Sequence, residues 1–202
     1  MNRFQLASVV GLFPLLLAVP TDAVQKPIVV QEIRLDSQGA AGSFQDLWKR
    51  SDVVIEGVIE GEEPGDYTSG GKLRVHTMHH VRVLAAFKTT GRLTGASSVI
   101  KVRRAGGRRD LADRVEVHTV LGFEPFKIGD RYFMFLRETE WVQPAPHSGV
   151  YYYGTTYSGP DSFYRVEASS LLTSSRTATA AQLASLDPEQ FRAQLRRAGG
   201  GK

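Results

Sequence analysis

Three kinds of hydrophobic pattern follow one another along the chain. Phe4 to Val19 is a mostly apolar, uncharged run, opened by Arg3 and closed by Pro20. From position 52 onward, β-branched and aromatic residues gather in short runs, several of them alternating with polar residues at the period that presents one face of an extended strand. Near the end, Phe191 and Leu195 stand four apart, the spacing of one helix face.

These patterns predict the elements in turn. Residues 24–42 keep no period and read as a tether leading to at most one short strand. Ser43 stands three residues before Asp46, which predicts a capped short helix to about Arg50 with Leu47 and Trp48 free to pack. Val53 to Ile59 predicts a strand, with Gly57 marking a bulge or a close backbone approach. The polar run Glu60 to Gly71, with Pro64-Gly65 and Gly70-Gly71, reads as a hairpin connection. Leu73, Val75, Thr77, Val81 and Val83 then mark the apolar face of a long strand, with Arg74, His76, His80 and Arg82 on the other and His79 pointing away from His76 and His80.

Val99 to Arg103 predicts a third strand ended by Gly106-Gly107, and a weaker one follows around Val115 to Val120. Gly122 to Asp130 is a loop bearing Phe123 and Phe126. Arg131 to Leu136, apolar on both faces, should be the most buried strand. Tyr151 to Tyr153 and Ser162 to Val166 would complete an antiparallel sheet, with Gly154, Gly159 and Pro160 marking the turn between them. Asp187-Pro188-Glu189-Gln190 is a helix start with an acidic cap, proline at the first helical position and a glutamine able to reach back, and Gly199 is the stop.

Composition adds three constraints. Residues 1–23 have the layout of a cleavable export signal: a basic start, an apolar run, and Thr21-Asp22-Ala23 with small residues where a signal peptidase reads. The expectation is a periplasmic or secreted protein with no membrane span once the signal is cut. The remaining length fits one domain, and 42% hydrophobic with 23% charged residues is the composition of a folded chain. With no cysteine, there is no disulfide, thiolate metal site or thiol nucleophile. The charge is uneven: Lys101, Arg103, Arg104, Arg108, Arg109 and Arg114 against Asp110 and Asp113 carry the whole formal +4. Such a segment attracts polyanions, or is a solvated hairpin loop.

Catalytic motifs are absent. The chain has neither a Gly-x-Ser-x-Gly elbow nor a His-Glu-x-x-His helix, Gly106-Gly107 lacks the Lys-Ser/Thr of a phosphate loop, and Glu62-Glu63 and Glu138 with Glu140 fall in polar loops or strand ends. His76 and His80 share a strand face too far apart to chelate one ion unaided, and Glu116, His118 or His147 would have to complete such a site. No cofactor is expected. Tyr151, Tyr152, Tyr153, Tyr157 and Tyr164 beside Arg103 and Arg104 could stack single-stranded nucleic acid, a partner that export argues against.

The order Ser51-Asp52-Val53-Val54-Ile55-Glu56-Gly57-Val58, Val81-Arg82-Val83-Leu84 before Phe87-Lys88, Val99-Ile100-Lys101-Val102 before Gly106-Gly107, and Phe126-Lys127-Ile128-Gly129-Asp130-Arg131-Tyr132-Phe133-Met134-Phe135-Leu136 resembles a group of exported bacterial proteins. Their domain is similar to the OB-fold barrel of tissue inhibitors of metalloproteinases and netrin modules. The resemblance covers about residues 43 to 167 and implies an antiparallel OB-like β-barrel with a short N-terminal helix and a C-terminal helix. Residues 43–170 would form the barrel domain and 171–202 a helical segment and tail. Animal metalloproteinase inhibitors chelate the protease metal through an N-terminal cysteine, which this chain lacks, so the architecture alone carries over. The expected function is a non-catalytic binding module whose loops at one barrel end, with Arg103, Arg104, Arg108, Arg109, Tyr151, Tyr153 and Tyr157, meet an envelope protein or anionic polymer. An envelope hydrolase using His76, His80 or His118, and a protease inhibitor, are the alternatives.

Overall fold

The computed structural model describes residues 25–33, 40–69, 72–90, 92–93, 98–120, 123–141, 149–155 and 160–200. The expected export signal at 1–23 lies outside them, as does Tyr157. The described chain is mainly β, with a mixed sheet and three α-helices. None of its helices is long and apolar enough to cross a membrane.

Strand β1 (Ile28–Ile33) is the one short strand expected of the tether. Helix α1 (Phe44–Arg50) starts where Ser43 accepts the Asp46 amide at 3.1 Å, and it buries Leu47 completely. Strands β2 (Val53–Ser69) and β3 (Lys72–Lys88) form one long antiparallel ribbon. Glu60 to Ser69 is therefore paired strand and not a hairpin connection, with Glu62 opposite His79 and Pro64 opposite Thr77. The run is polar because β7 (Arg131–Trp141) covers the other edge of β2 only at Val53 to Val58. Beyond that point the ribbon has an edge of its own, where a proline without an amide proton is tolerated.

The ribbon's pairing shifts register at three places, between Val54 and Ile55, Glu56 and Gly57, and Ile59 and Gly61. At Gly57 there is no room for a side chain: a Cβ there would stand 2.5 Å from Val81 Cγ1 and 3.1 Å from the Arg82 carbonyl oxygen. Gly57→Ala is accordingly expected to cost about 1–3 kcal/mol, the usual penalty of overpacking. A urea midpoint equal to that of the parent would show that the ribbon absorbs the methyl without strain.

The chain continues through β4 (Val99–Ala105), β5 (Gly107–Asp110) and β6 (Val115–Val120), then β7, β8 (Gly149–Gly154), β9 (Phe163–Val166) and β10 (Leu171–Leu172). Gly106 bends the chain with φ +88° between β4 and β5, so the basic segment is strand, turn and strand instead of a free loop. One sheet runs β10-β9-β7-β2-β3-β4-β8, and β7 also pairs with β8, so the pairings return on themselves through β7-β2-β3-β4-β8. The stretch β7-β2-β3-β4 has Greek-key order. The expected wholly antiparallel sheet is corrected here: β4 and β8 run parallel, as do β1 and β6. A cycle of five strands cannot alternate direction all the way round, so one parallel contact is forced. β8 and β9 do not form a hairpin either; both lie along β7, at Leu136–Trp141 and Tyr132–Met134.

From Tyr132 to Leu136, β7 separates two cores, which is why that stretch has no polar face. Tyr132, Met134 and Leu136 join Val53, Ile55, Val81 and Val102 in one. Phe133 and Phe135 join Tyr164, Leu171 and the C-terminal helices in the other. Those helices are α2 (Ala178–Ala184), absent from the sequence expectation, and α3 (Pro188–Ala198), which has the expected Asp187–Gln190 capping box. Phe191 packs 4.8 Å from Phe133, and Arg192 donates Nε and Nη2 to the buried Glu56 carboxylate, each at 2.7 Å.

Candidate functional site

In β4 the burial alternates, with Ile100, Val102 and Arg104 in the inward row and Val99, Lys101 and Arg103 outside it. The regularity that sends two aliphatic side chains into the core therefore sends a guanidinium with them. Arg104 is 7% exposed. Its guanidinium carbon lies 3.7 Å from the Phe123 ring centre and 4.1 Å from that of Phe126, close enough for the ring faces to attract the cation strongly once water is excluded. Nη2 donates to the Glu124 carbonyl at 2.7 Å. Nε and Nη1 are buried and have no hydrogen-bond partner among the described residues, and no described carboxylate lies within ion-pair distance. Desolvation lowers the group's pKa to about 9, which leaves it cationic at neutral pH.

The same inward logic places His79. On β3 it shares a row with Val75, Val81 and Val83, stands opposite Val102, and packs edge-on against Phe126 at 4.9 Å. Burial first, then the charges of Arg104 and His80, lower its pKa to about 3, so at neutral pH the ring is uncharged. Its Nδ1 lies 3.7 Å from Glu62 Oε2 at the rim.

Arg104 and His79 line a groove of about 270 Å³ between β4, β5, β6 and the Phe123–Phe126 segment, with Arg108 and His118 on its far wall. The nearest acid on β6, Glu116, is already bound by Arg114 through Nε at 2.9 Å and Nη2 at 2.8 Å, with His118 Nε2 at 3.6 Å. The Arg114 hydrogen bonds hold the Glu116 carboxyl below its ordinary range. A second hollow, between β4 and β8, is lined by Arg92 and Lys101, but each of these already meets a carboxylate: Glu138 at 3.2 Å and Glu63 at 2.8 Å. Arg104 is thus a groove-lining cation without an ion-pair partner among the described residues, with Glu62 at the rim of the same groove.

The residues expected to bind together do not converge on one place: Arg104 and Arg108 line the groove, while Arg103 meets Tyr153 elsewhere. Arg104, expected in an open basic loop, is buried; Arg103 points outward, 5.7 Å from the Tyr153 ring. Arg108 is exposed and pairs with Asp110 at 3.1 Å, and Arg109 lies on β5 opposite Glu116. Tyr151 is buried at 4% exposure, belonging to the β4–β8 hollow, and Tyr153 is half-buried. Nor are the histidines solvated on an open sheet face: His76 and His79 are buried, and His80 sits half-buried, 3.5 Å from Glu63. Among the described residues no three His, Asp or Glu side chains gather as a metal site would require. The residues that sequence reasoning missed, His79 and the inward role of Arg104, were marked by the period-two rows Val75-Thr77-His79-Val81 and Ile100-Val102-Arg104. No known family's sequence model matches this chain, and no curated protein matches it either.

Proposed function

We propose that this protein is an exported, non-catalytic binding module that holds an anionic group of a partner protein or envelope polymer against Arg104. The one observation carrying this reading is a guanidinium, 7% exposed and with no described carboxylate at ion-pair distance, that lines an open groove. Burying a cation without a counter-charge is costly, and a carboxylate, phosphate or sulfate group seated in the groove beside the guanidinium offsets that cost by its charge. Three neighbours help: neutral His79 adds no charge, and the Phe123 and Phe126 rings lower the dielectric around the cation, while Glu62 at the rim is the one acid of the groove's lining that an arriving anion meets. Export is supported by the Arg3-led apolar run of the sequence. The returning β7-β2-β3-β4-β8 pairing and its Greek-key order support an OB-like barrel, a frame whose loops and open face commonly bind ligands.

The test is thermal unfolding in inorganic phosphate, sulfate or acetate against chloride at equal ionic strength. Wild-type Tm is expected to rise with one of the three anions, because a ligand that binds only the folded state stabilises it. Arg104→Met should be at least as stable as wild type without added anion, since the thioether fills similar space with no charge to desolvate, and should lose the anion response. Arg104→Lys keeps the charge but not the planar guanidinium held against the Phe123 and Phe126 rings, and should respond weakly. Equal responses in wild type and Arg104→Met would place the anion elsewhere and overturn the reading.

A further inference from the structure

The strand β1 carries a second surface, at the edge of the smaller sheet β1-β6-β5. The Val115 amide donates to the Pro27 carbonyl at 2.9 Å, and Ile28 to Ile33 run parallel to Val115 to Val120 in register. In such a pair alternate residues turn their amides toward the neighbour. Pro27, Val29, Gln31 and Ile33 therefore face β6, while Ile28, Val30 and Glu32 direct N–H and C=O groups to the opposite edge. No strand pairs with that edge among the described residues. Pro27, the residue without a donor, faces inward, so it does not blunt the outer row. The side chains are as open as the backbone: Ile28 is 68%, Val30 61% and Val29 38% exposed. A flat apolar edge of this kind is a template for another strand.

We propose that the occupant of this edge is β1 of a second copy of the chain, paired antiparallel about a two-fold axis through Val29. Position numbers decide the register. Hydrogen-bonded pairs need outward residues on both sides, and centring on Val29 sets Ile28 against Val30 of the partner subunit and Lys26 against Glu32 of the partner subunit. One apolar pair and one opposite-charge pair result, each repeated by the symmetry. Centring on Val30 would set Ile28 against a glutamate, and centring on Ile28 would set Lys26 against a valine, so neither alternative register gains the charge match. Lys26, whose Nζ donates to the exposed Leu111 carbonyl at 2.7 Å, stands at the end of this row, and Glu32 is exposed. The joined sheets run continuously as β5-β6-β1 followed by β1-β6-β5 of the second copy. This surface shares no residue with the Arg104 groove.

Sedimentation of the full chain from sub-micromolar to near-millimolar concentration tests the pairing. A reversible monomer–dimer equilibrium is expected. Val30→Pro removes a donor from the outer edge alone, and should leave a monomer whose Tm matches the parent. Glu32→Lys should weaken the dimer several-fold by setting two lysines face to face, and Lys26→Glu combined with Glu32→Lys should restore it. Arg104→Met should dimerise like wild type, which separates this result from that of the anion test. The proposal is overturned by a monomer at every concentration, by a dimer that survives Val30→Pro, or by a charge swap that fails to restore what Glu32→Lys removes.

Discussion

As the pH falls from about 6.5 toward about 3, the fold is expected to lose on the order of 4 kcal/mol through His79 alone. In the unfolded chain this imidazole takes a proton near 6.5, whereas in the folded chain desolvation and the facing Arg104 cation delay protonation until about 3. Between those values the unfolded state binds more protons, so stability rises with pH across the window and is lost as the pH drops through it. Above 6.5 both states hold a neutral ring and His79 adds no pH dependence. Carboxylates also titrate in acid, so the decisive measurement is a difference: urea unfolding of wild type and His79→Phe at a series of pH values. The variant, with an uncharged ring against Phe126, should lose less stability on acidification. Parallel losses in the two proteins would show that His79 takes its proton without opposing the fold.

Glu56→Ala is expected to destabilise the protein by about 3–5 kcal/mol, the cost of breaking a buried ion pair from one side. The Glu56 side chain is 5% exposed, accepts two hydrogen bonds from Arg192 at 2.7 Å, and has Arg131 Nε at 3.3 Å. Arg192 lies beneath the surface at 13% exposure and has the rim residue Glu189 as its other acid. The Glu56 hydrogen bonds, first among its surroundings, raise the Arg192 pKa. Replacing both members, as Glu56→Leu with Arg192→Met, should recover much of the loss because neither charge is then stranded. Urea denaturation of the three proteins reads the outcome; a single-variant loss below about 1 kcal/mol would reduce the pair to the standing of an exposed one.

The sequence made most of the frame legible, because local spacing dictates it. The Ser43 and Asp187 caps, the β6 span at Val115 to Val120 and the two-faced burial of Phe133 to Leu136 all follow from residues within a few positions of one another. The errors arose where a distant partner decides. Glu60 to Ser69 is polar and turn-rich in isolation, and becomes strand because β3 lies alongside it. Ala178 to Ala184 has little apolar bulk of its own, yet Thr177 caps it and Leu183 is drawn into the core made by β7 and β9. The groove was misread through composition: counting arginines between Lys101 and Arg114 treated them alike, whereas strand alternation divides Arg104 from Arg103 absolutely. Charge density marked a segment that lines the groove, and only the period could say which cation is buried.

The clasp between α3 and β2 also sets a timetable. Glu56 and Arg192 lie 136 positions apart, and Phe191 with Leu195 finishes the outer core. A loop of that span closes late in folding, since its entropy must be surrendered before its contacts form. Until α3 has left the ribosome, Phe133, Phe135 and Tyr164 lack their cover, and the outer core of the nascent polypeptide stays open.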